Sequence, residues 1–404
     1  MAAHWTVAPL ARVRIPLATQ FPYMPAMRQP KYLMVETPQG LREACAILAG
    51  AATVALDLEA DTLFHYGETA CLAQLSDGAQ IWLVDLRQVT DISPLKPILE
   101  NTAVEKVLHG ADYDIRLLRR HFGINCRPIF DTEVAARFLG MRRSGLAEVL
   151  AKRFGVVLDK KFQKRDWMQR PLTAEMCSYA AADVHWLVRL AGLMKADLTG
   201  LGRLAWVKEE CDILAHSSDR IREPGPLFLG FKGADLLDRR NLAILESLLQ
   251  ARESLAEQRD RPPFKVLSPD VIRQIIRERP ETDLELLRID GLGRRSGTFR
   301  AVVLTAVRNA LDLPDEQLPE YPRGIGRRPS RSHRFQARVQ GLKEWRDSRS
   351  AALGLDGSLV CANSVIQELA AVKCPVTPDD LGRVKRLRKW QNREFGAEIC
   401  NLLR

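Results

Sequence analysis

Every stretch of this 404-residue chain with the period-two pattern of a β-strand lies before residue 110. From Asp131 to the C-terminus the apolar residues recur at helical spacing instead. Strands are expected at 53–59, 70–75, 80–85 and 105–109, two of them joined by the turn Ser76-Asp77-Gly78. Helices are expected at 37–49, 92–100, 113–122, 131–139, 145–154 and 173–197. Strands interleaved with and followed by helices make one α/β or α+β domain, over 32–200, in which helices cover a sheet. The rest of the chain reads as a connector (201–236), a small all-α domain (237–312), a Pro- and Arg-rich linker (313–332) and a second, basic all-α domain (333–404). The helices of the first block are placed at 238–258, 268–278, 282–288 and 295–311, those of the second at 334–352, 359–371, 377–381 and 385–403. Their similar length and helix order read as two copies of one module. The first 35 residues contain no Asp or Glu, and 1–31 is expected to form a disordered N-terminal extension.

A composition of 46% hydrophobic and 27% charged residues is globular, which excludes collagen-like, disordered and disulfide-scaffold chains. No apolar run approaches the roughly 18–20 residues that cross a bilayer, so no membrane partner is expected. Cysteines at 45, 71, 126, 177, 211, 361, 374 and 400 form no Cys-x-x-Cys pair and no Cys/His cluster of zinc spacing. They read as small buried thiols in a reducing, cytoplasmic setting. The formal charge of +10 is unevenly placed: 323–404 holds 17 Lys and Arg against 8 Asp and Glu, while 1–322 holds 43 against 42. A basic C-terminal fifth on a near-neutral body points to nucleic acid, with the run Lys385-Arg386-Leu387-Arg388-Lys389 as its densest part. On this reading, deleting 323–404 weakens nucleic-acid binding and flattens its salt dependence.

Three clusters carry chemistry. Asp57 and Glu59 share one face of a strand whose other face holds Leu56 and Leu58. Carboxylates at the end of an apolar strand need a cation or hydrogen-bonding partners, or else form a solvated face. In Leu108-His-Gly-Ala-Asp-Tyr-Asp-Ile115, a strand end runs into a helix start. Asp112 suits an N-cap there and Asp114 suits a cleft. Tyr179 and Asp183, at i and i+4 with three alanines between, share one helix face, as a functional pair or as a packed one. Together the four acids form a set of hard oxygen ligands suited to Mg2+ or Mn2+. Two such ions roughly 3.5–4 Å apart suit phosphodiester hydrolysis, with Tyr179 orienting the attacking water.

The pattern Asp57-x-Glu59, Asp114, Tyr179-x-x-x-Asp183 resembles the tyrosine subclass of the DEDD 3′→5′ exonucleases. More narrowly it resembles the ribonuclease D family, which Ala55-Leu-Asp-Leu-Glu59, Leu108-His-Gly110, Asp166-Trp167, Arg170-Pro-Leu-Thr173 and Tyr179-Ala-Ala-Ala-Asp-Val184 match in order and spacing. Ser178 stands where the histidine subclass would carry its catalytic histidine. Both helical blocks look like the domain type shared by helicases and ribonuclease D (HRDC), the first through Pro262-Pro-Phe264 and Leu286-Leu-Arg-Ile-Asp-Gly-Leu-Gly293. The resemblance implies a ribonuclease H-like α/β domain with a mixed sheet. It also implies hydrolytic release of nucleotides from RNA 3′ ends, with Asp57, Glu59, Asp114 and Asp183 holding two divalent ions beside a catalytic Tyr179. The family's substrates are structured RNAs such as transfer RNA precursors, and its members are generally monomeric. The segment after Glu59, Ala-Asp-Thr-Leu-Phe-His-Tyr, departs from the more basic segment of many family members. Within it, His65 and Tyr66 are candidates to contact a 3′-terminal nucleotide, whereas Asp61 is read as no ligand. Lys160, Lys161, Lys164 and Arg165 form a candidate phosphate-contact loop, and Lys385, Arg386, Arg388 and Lys389 a candidate backbone-contact run. Trp167 is read as packing rather than as a base platform. The alternatives are an exonuclease acting mainly on DNA and a non-catalytic RNA-binding protein.

Overall fold

The alternation that sets Leu56 and Leu58 against Asp57 and Glu59 builds the longest strand of the first domain, β2 (Thr53–Asp61). The structure is a computed structural model that describes residues 30–217, 225–322, 332–372 and 377–403. The extension expected over 1–31 lies outside these residues apart from its last two, and so does the Arg-rich stretch 323–331 of the linker.

β2 pairs antiparallel with β3 (Thr69–Ser76), and β3 with β4 (Ile81–Asp85). Its other edge takes β5 (Glu105–Leu108) in parallel. β1 (Leu33–Val35) and β6 (Ile129–Asp131) extend the sheet in parallel at either edge, giving the order β1-β4-β3-β2-β5-β6. The sheet is therefore mixed, as the family resemblance implies. Neither edge strand is visible in the sequence, because three residues are too few to show an alternation.

Around the sheet lie α1 (Pro38–Leu48), the short α2 (Lys96–Leu99), α3 (Asp112–Phe122), α4 (Thr132–Phe138), α5 (Leu146–Phe154), α6 (Ala174–His185) and α7 (Leu187–Gly200). The single helix expected over 173–197 is thus two, broken at Trp186, whose ring stacks on Phe154 at 5.0 Å. The connector expected over 201–236 contains a helix of its own. It opens with a two-faced helix, α8 (Leu204–Ser217), that buries Trp206, Val207 and Cys211.

The first helical module comprises α9 (Arg239–Gln258), α10 (Pro263–Val266), α11 (Pro269–Glu278), α12 (Asp283–Leu287) and α13 (Gly297–Leu311). It closes around its own core, which includes Leu245, Leu248, Ile275, Phe299 and Val303. The second comprises α14 (His333–Leu353), α15 (Gly357–Val360), α16 (Asn363–Ala370), α17 (Pro378–Leu381) and α18 (Lys389–Leu403). Its core is continuous with that of the sheet domain. Trp390 of α18 stacks on Trp206 of α8 at 4.5 Å and meets Phe138 edge-on at 5.6 Å. Glu209 accepts the backbone N–H groups of Lys389 (2.6 Å) and Trp390 (3.0 Å), capping α18 from the other domain. Arg203, itself buried, donates to Phe138 O (2.9 Å) and Leu353 O (2.7 Å). Gly140 lies so close to this module that a Cβ there would come within 2.7 Å of Gly354 O. Among the described residues, no helix is long and apolar enough to cross a membrane.

Candidate active site

A bulge between Glu59 and Ala60 shifts the register of β2 on β3 just past the two acids, and the pairing resumes at Ala60–Ala70 and Asp61–Thr69. Beyond it Asp61 folds the chain over itself. Its Oδ1 accepts from Leu63 N (3.0 Å) and Phe64 N (2.9 Å), and its Oδ2 from His65 N (2.9 Å). His65 Nδ1 lies 2.6 Å from the same Oδ2. Asp61, His65 and Asp166 bring potential ligand atoms within 4.8 Å of one another, but Asp61 serves here as the cap of a loop.

Asp57, Glu59 and Asp183 each offer a carboxylate oxygen within 4.8 Å of the others, a geometry that fits a hard divalent cation. Asp183 comes from α6, which lies across β2, β3 and β4. Two anchors hold α6. Thr173 Oγ1 accepts from Met176 N (3.2 Å) at its N-cap. Just upstream, Arg170 makes a fork onto Asp85, Nε to Oδ2 at 2.7 Å and Nη2 to Oδ1 at 2.6 Å, and reaches Cys71 O at 3.0 Å. Burial raises the Asp85 carboxyl, and the hydrogen bonds from Arg170, Gln88 and the Arg87 backbone overcome that, holding it below its ordinary range.

Asp114 sits in the first turn of α3 and is buried at 6% exposure. It lies outside the three-acid cluster, yet its charge still bears on Glu59. The N-cap role read for Asp112 is not what the structure shows: Ala111 holds that position without a side-chain cap, and Asp112 pairs with Arg116 at 2.7 Å. Asp131 does the anchoring instead. Its Oδ1 accepts from Gly110 N (2.9 Å) and Glu133 N (2.8 Å), and its Oδ2 from Ala111 N (2.8 Å), tying the starts of α3 and α4 to one carboxylate.

The Tyr179 ring packs against Phe162 (5.9 Å) and Trp167 (6.1 Å), and Asp183 is the acid that bears most on its hydroxyl. Trp167 is 1% exposed, so it is packing, as read from the sequence. Burial pushes Asp57 up to about 7, against the opposing hydrogen bond from the Leu58 backbone. Burial foremost, then Asp57, Asp183 and Asp114 in turn, drives Glu59 well above the carboxylate range. Burial and the Asp57 charge do the same to Asp183 and Asp114. Burial and then the neighbouring acids raise Tyr179, which stays a neutral phenol. Anions so crowded and desolvated call for a compensating cation.

The remaining sequence candidates separate. Lys161 and Arg165 lie over the Phe162 ring at 5.2 and 5.7 Å, beside Tyr179, and Lys164 is exposed on the same loop. Lys160 pairs with Glu148 at 2.8 Å. His65 and Tyr66 meet the first helical module: Tyr66 N donates to Asp260 Oδ1 (3.0 Å), His65 Nε2 lies 3.9 Å from Asp260 Oδ2, and Lys265 sits over the Phe64 ring at 4.8 Å. In the C-terminal run, Lys385 and Lys389 are exposed and Arg386 pairs with Glu368 at 3.4 Å. Arg388, expected to face RNA, is instead engaged between domains, with its Nε 3.0 and 3.1 Å from the two Glu210 oxygens. Asp131, the Asp85–Arg170 fork and α8 have no part in the sequence reading of the site. Their partners lie far apart in the chain, and only the fold brings them together.

Residues 32–199 match a 3′-5′ exonuclease family model, and residues 241–296 and 335–403 each match the HRDC domain. Ribonuclease D of Escherichia coli (strain K12) is 31% identical over 72% of this chain and 77% of its own. Ribonuclease D of Acidiphilium cryptum (strain JF-5) is 29% identical over 94% of each chain. The crystal structure of Escherichia coli RNase D, described as an exoribonuclease involved in structured RNA processing, superposes with a TM-score of 0.70 at 27% identity, covering 92% of this chain and 98% of that one.

Proposed function

We propose that this chain, which belongs to the 3′-5′ exonuclease family and within it to the ribonucleases D, carries its catalytic machinery on Asp57, Glu59, Asp114, Tyr179 and Asp183. It is a hydrolytic 3′→5′ exoribonuclease, and RNA is its substrate. The observation that carries the site assignment is the convergence of Asp57, Glu59 and Asp183 carboxylates from β2 and α6. Two divalent ions, Mg2+ or Mn2+, would there activate a water and offset charge on the departing 3′-oxygen. Asp57, Glu59 and Asp183 would hold them, with Asp114 completing the set. Tyr179, kept protonated by its surroundings, orients the attacking water through its hydroxyl while Asp183, Phe162 and Trp167 fix its ring. The exposed Lys161, Lys164 and Arg165, next to Phe162, would grip the backbone of the last nucleotides, and Lys385 and Lys389 would contact the body of the RNA. Transfer RNA precursors with 3′ trailers fit this reading, as does a monomer working in the cytoplasm.

The test is a 3′-labelled transfer RNA precursor, with a DNA strand of the same sequence alongside. The expected result is release of labelled mononucleotides from RNA, stopped by EDTA and reduced on the order of a thousandfold in Asp57→Asn and Asp183→Ala. Internal cuts would overturn the exonuclease reading, full activity in either variant the site assignment, and faster shortening of the DNA the substrate.

A further inference from the structure

The register of β2 and β3 sets Gln74 directly opposite Asp57. Facing residues of antiparallel strands project from the same side of a sheet, with Cβ atoms about 4.5–5.5 Å apart. Here that side lies beneath α6, because Leu72, two residues along β3, faces both Glu59 and Asp85, and Arg170 reaches Asp85 there. Gln74 is 0% exposed, and among the described residues neither Oε1 nor Nε2 has a hydrogen-bond partner. A buried amide without partners is costly, and an apolar side chain of the same length would fill the space without that cost. The feature of the site that an amide beside Asp57 can serve is the carboxylate itself.

We propose that Gln74 is a positioning residue for Asp57: its Nε2 donates to one Asp57 oxygen when the other holds a divalent ion. This rests on Asp57 being a metal ligand. A hydrogen bond behind a metal-bound carboxylate fixes its orientation, and losing such outer-shell partners typically lowers metal affinity about 10–100-fold.

The test is Gln74→Met in the full chain, read by thermal unfolding during titration with Mn2+ and by RNA cleavage over the same titration. Gln74→Leu serves as a second apolar variant should methionine prevent folding. The proposal expects a metal-free Tm equal to or above that of the parent, because an unpaired amide has been replaced by apolar packing. It also expects the Mn2+ concentration for half-maximal stabilisation to rise about tenfold or more. The rate should recover at high Mn2+ with the KM for RNA unchanged. An unchanged Mn2+ midpoint in a folded variant overturns the role of Gln74, as does a loss of rate that no Mn2+ concentration recovers. Asp57→Asn is the control. If it too leaves the Mn2+ midpoint unchanged, Asp57 is not a ligand, and the proposal goes with the assignment it rests on.

Discussion

The second helical module shares its core with the exonuclease domain, whereas the first has a core of its own and meets that domain around the loop beyond Asp61. Both match the same domain family. What separates them is a few side chains: Trp206, Trp390 and Phe138 form a buried aromatic contact, and Glu209 and Glu210 cap and pair the start of α18. Charge alone assigns the basic second module to RNA, but the pairing of Arg388 with Glu210 shows that part of its charge holds the module to the catalytic domain. The first module is the freer of the two. It touches the segment that follows Glu59 and so lies next to the site without being built into it.

Deleting 323–404 should have the largest effect. It uncovers Trp206 and Phe138, so the remaining protein should lose solubility or unfold at a much lower temperature, rather than lose RNA affinity alone. A truncated protein with an unchanged Tm and intact cleavage of short oligonucleotides would restore the view of an appended binding domain. Next come two point variants in equivalent burial. Trp390→Ala and Phe299→Ala should each cost about 3–5 kcal/mol, the residues being 0% and 1% exposed. By hydrogen exchange, the loss in Trp390→Ala should spread to α8 and the sheet, whereas that in Phe299→Ala should stay within 237–312.

The pH dependence sharpens the same division. In the folded state Asp57 is raised from 3.8 to about 7, so folded protein holds its proton more tightly than unfolded protein between those values. The metal-free exonuclease domain should therefore lose stability as pH rises from 4 to 7, and Mg2+ should raise its Tm more at pH 8 than at pH 5. Thermal unfolding monitored by hydrogen exchange should show this shift in the sheet and in α18, but not in α13. Smallest is Asp260→Ala, which removes the bond from Tyr66 N. It should cost about 0.5–1.5 kcal/mol, loosening the first module's contact while cleavage of short oligonucleotides persists.

The sequence pattern makes β2 to β5 and most helices legible, because runs longer than three residues show their period. It hides β1 and β6, which are too short, and α8, whose buried face is shared among β6, α4 and α18. At the site, the acids and Tyr179 stand out by residue type and spacing. The groups that hold them do not: Asp131 joins two helix starts, Arg170 reaches Asp85, and Gln74 lies across from Asp57. These are contacts between distant residues whose types are ordinary until the fold places them. His65 and Tyr66 show the converse, since an aromatic pair near clustered acids suggests a nucleotide contact while the structure seats it against Asp260.

Asp57, Glu59, Asp114 and Asp183 are expected together to form a divalent-cation site. Calorimetric titration of Mn2+ into the full-length protein at pH 7, in buffers of differing ionisation enthalpy, tests this directly. Binding accompanied by net proton release, and lost in Asp57→Asn, is the predicted result. Binding without proton release, or binding unchanged in Asp57→Asn, would contradict it.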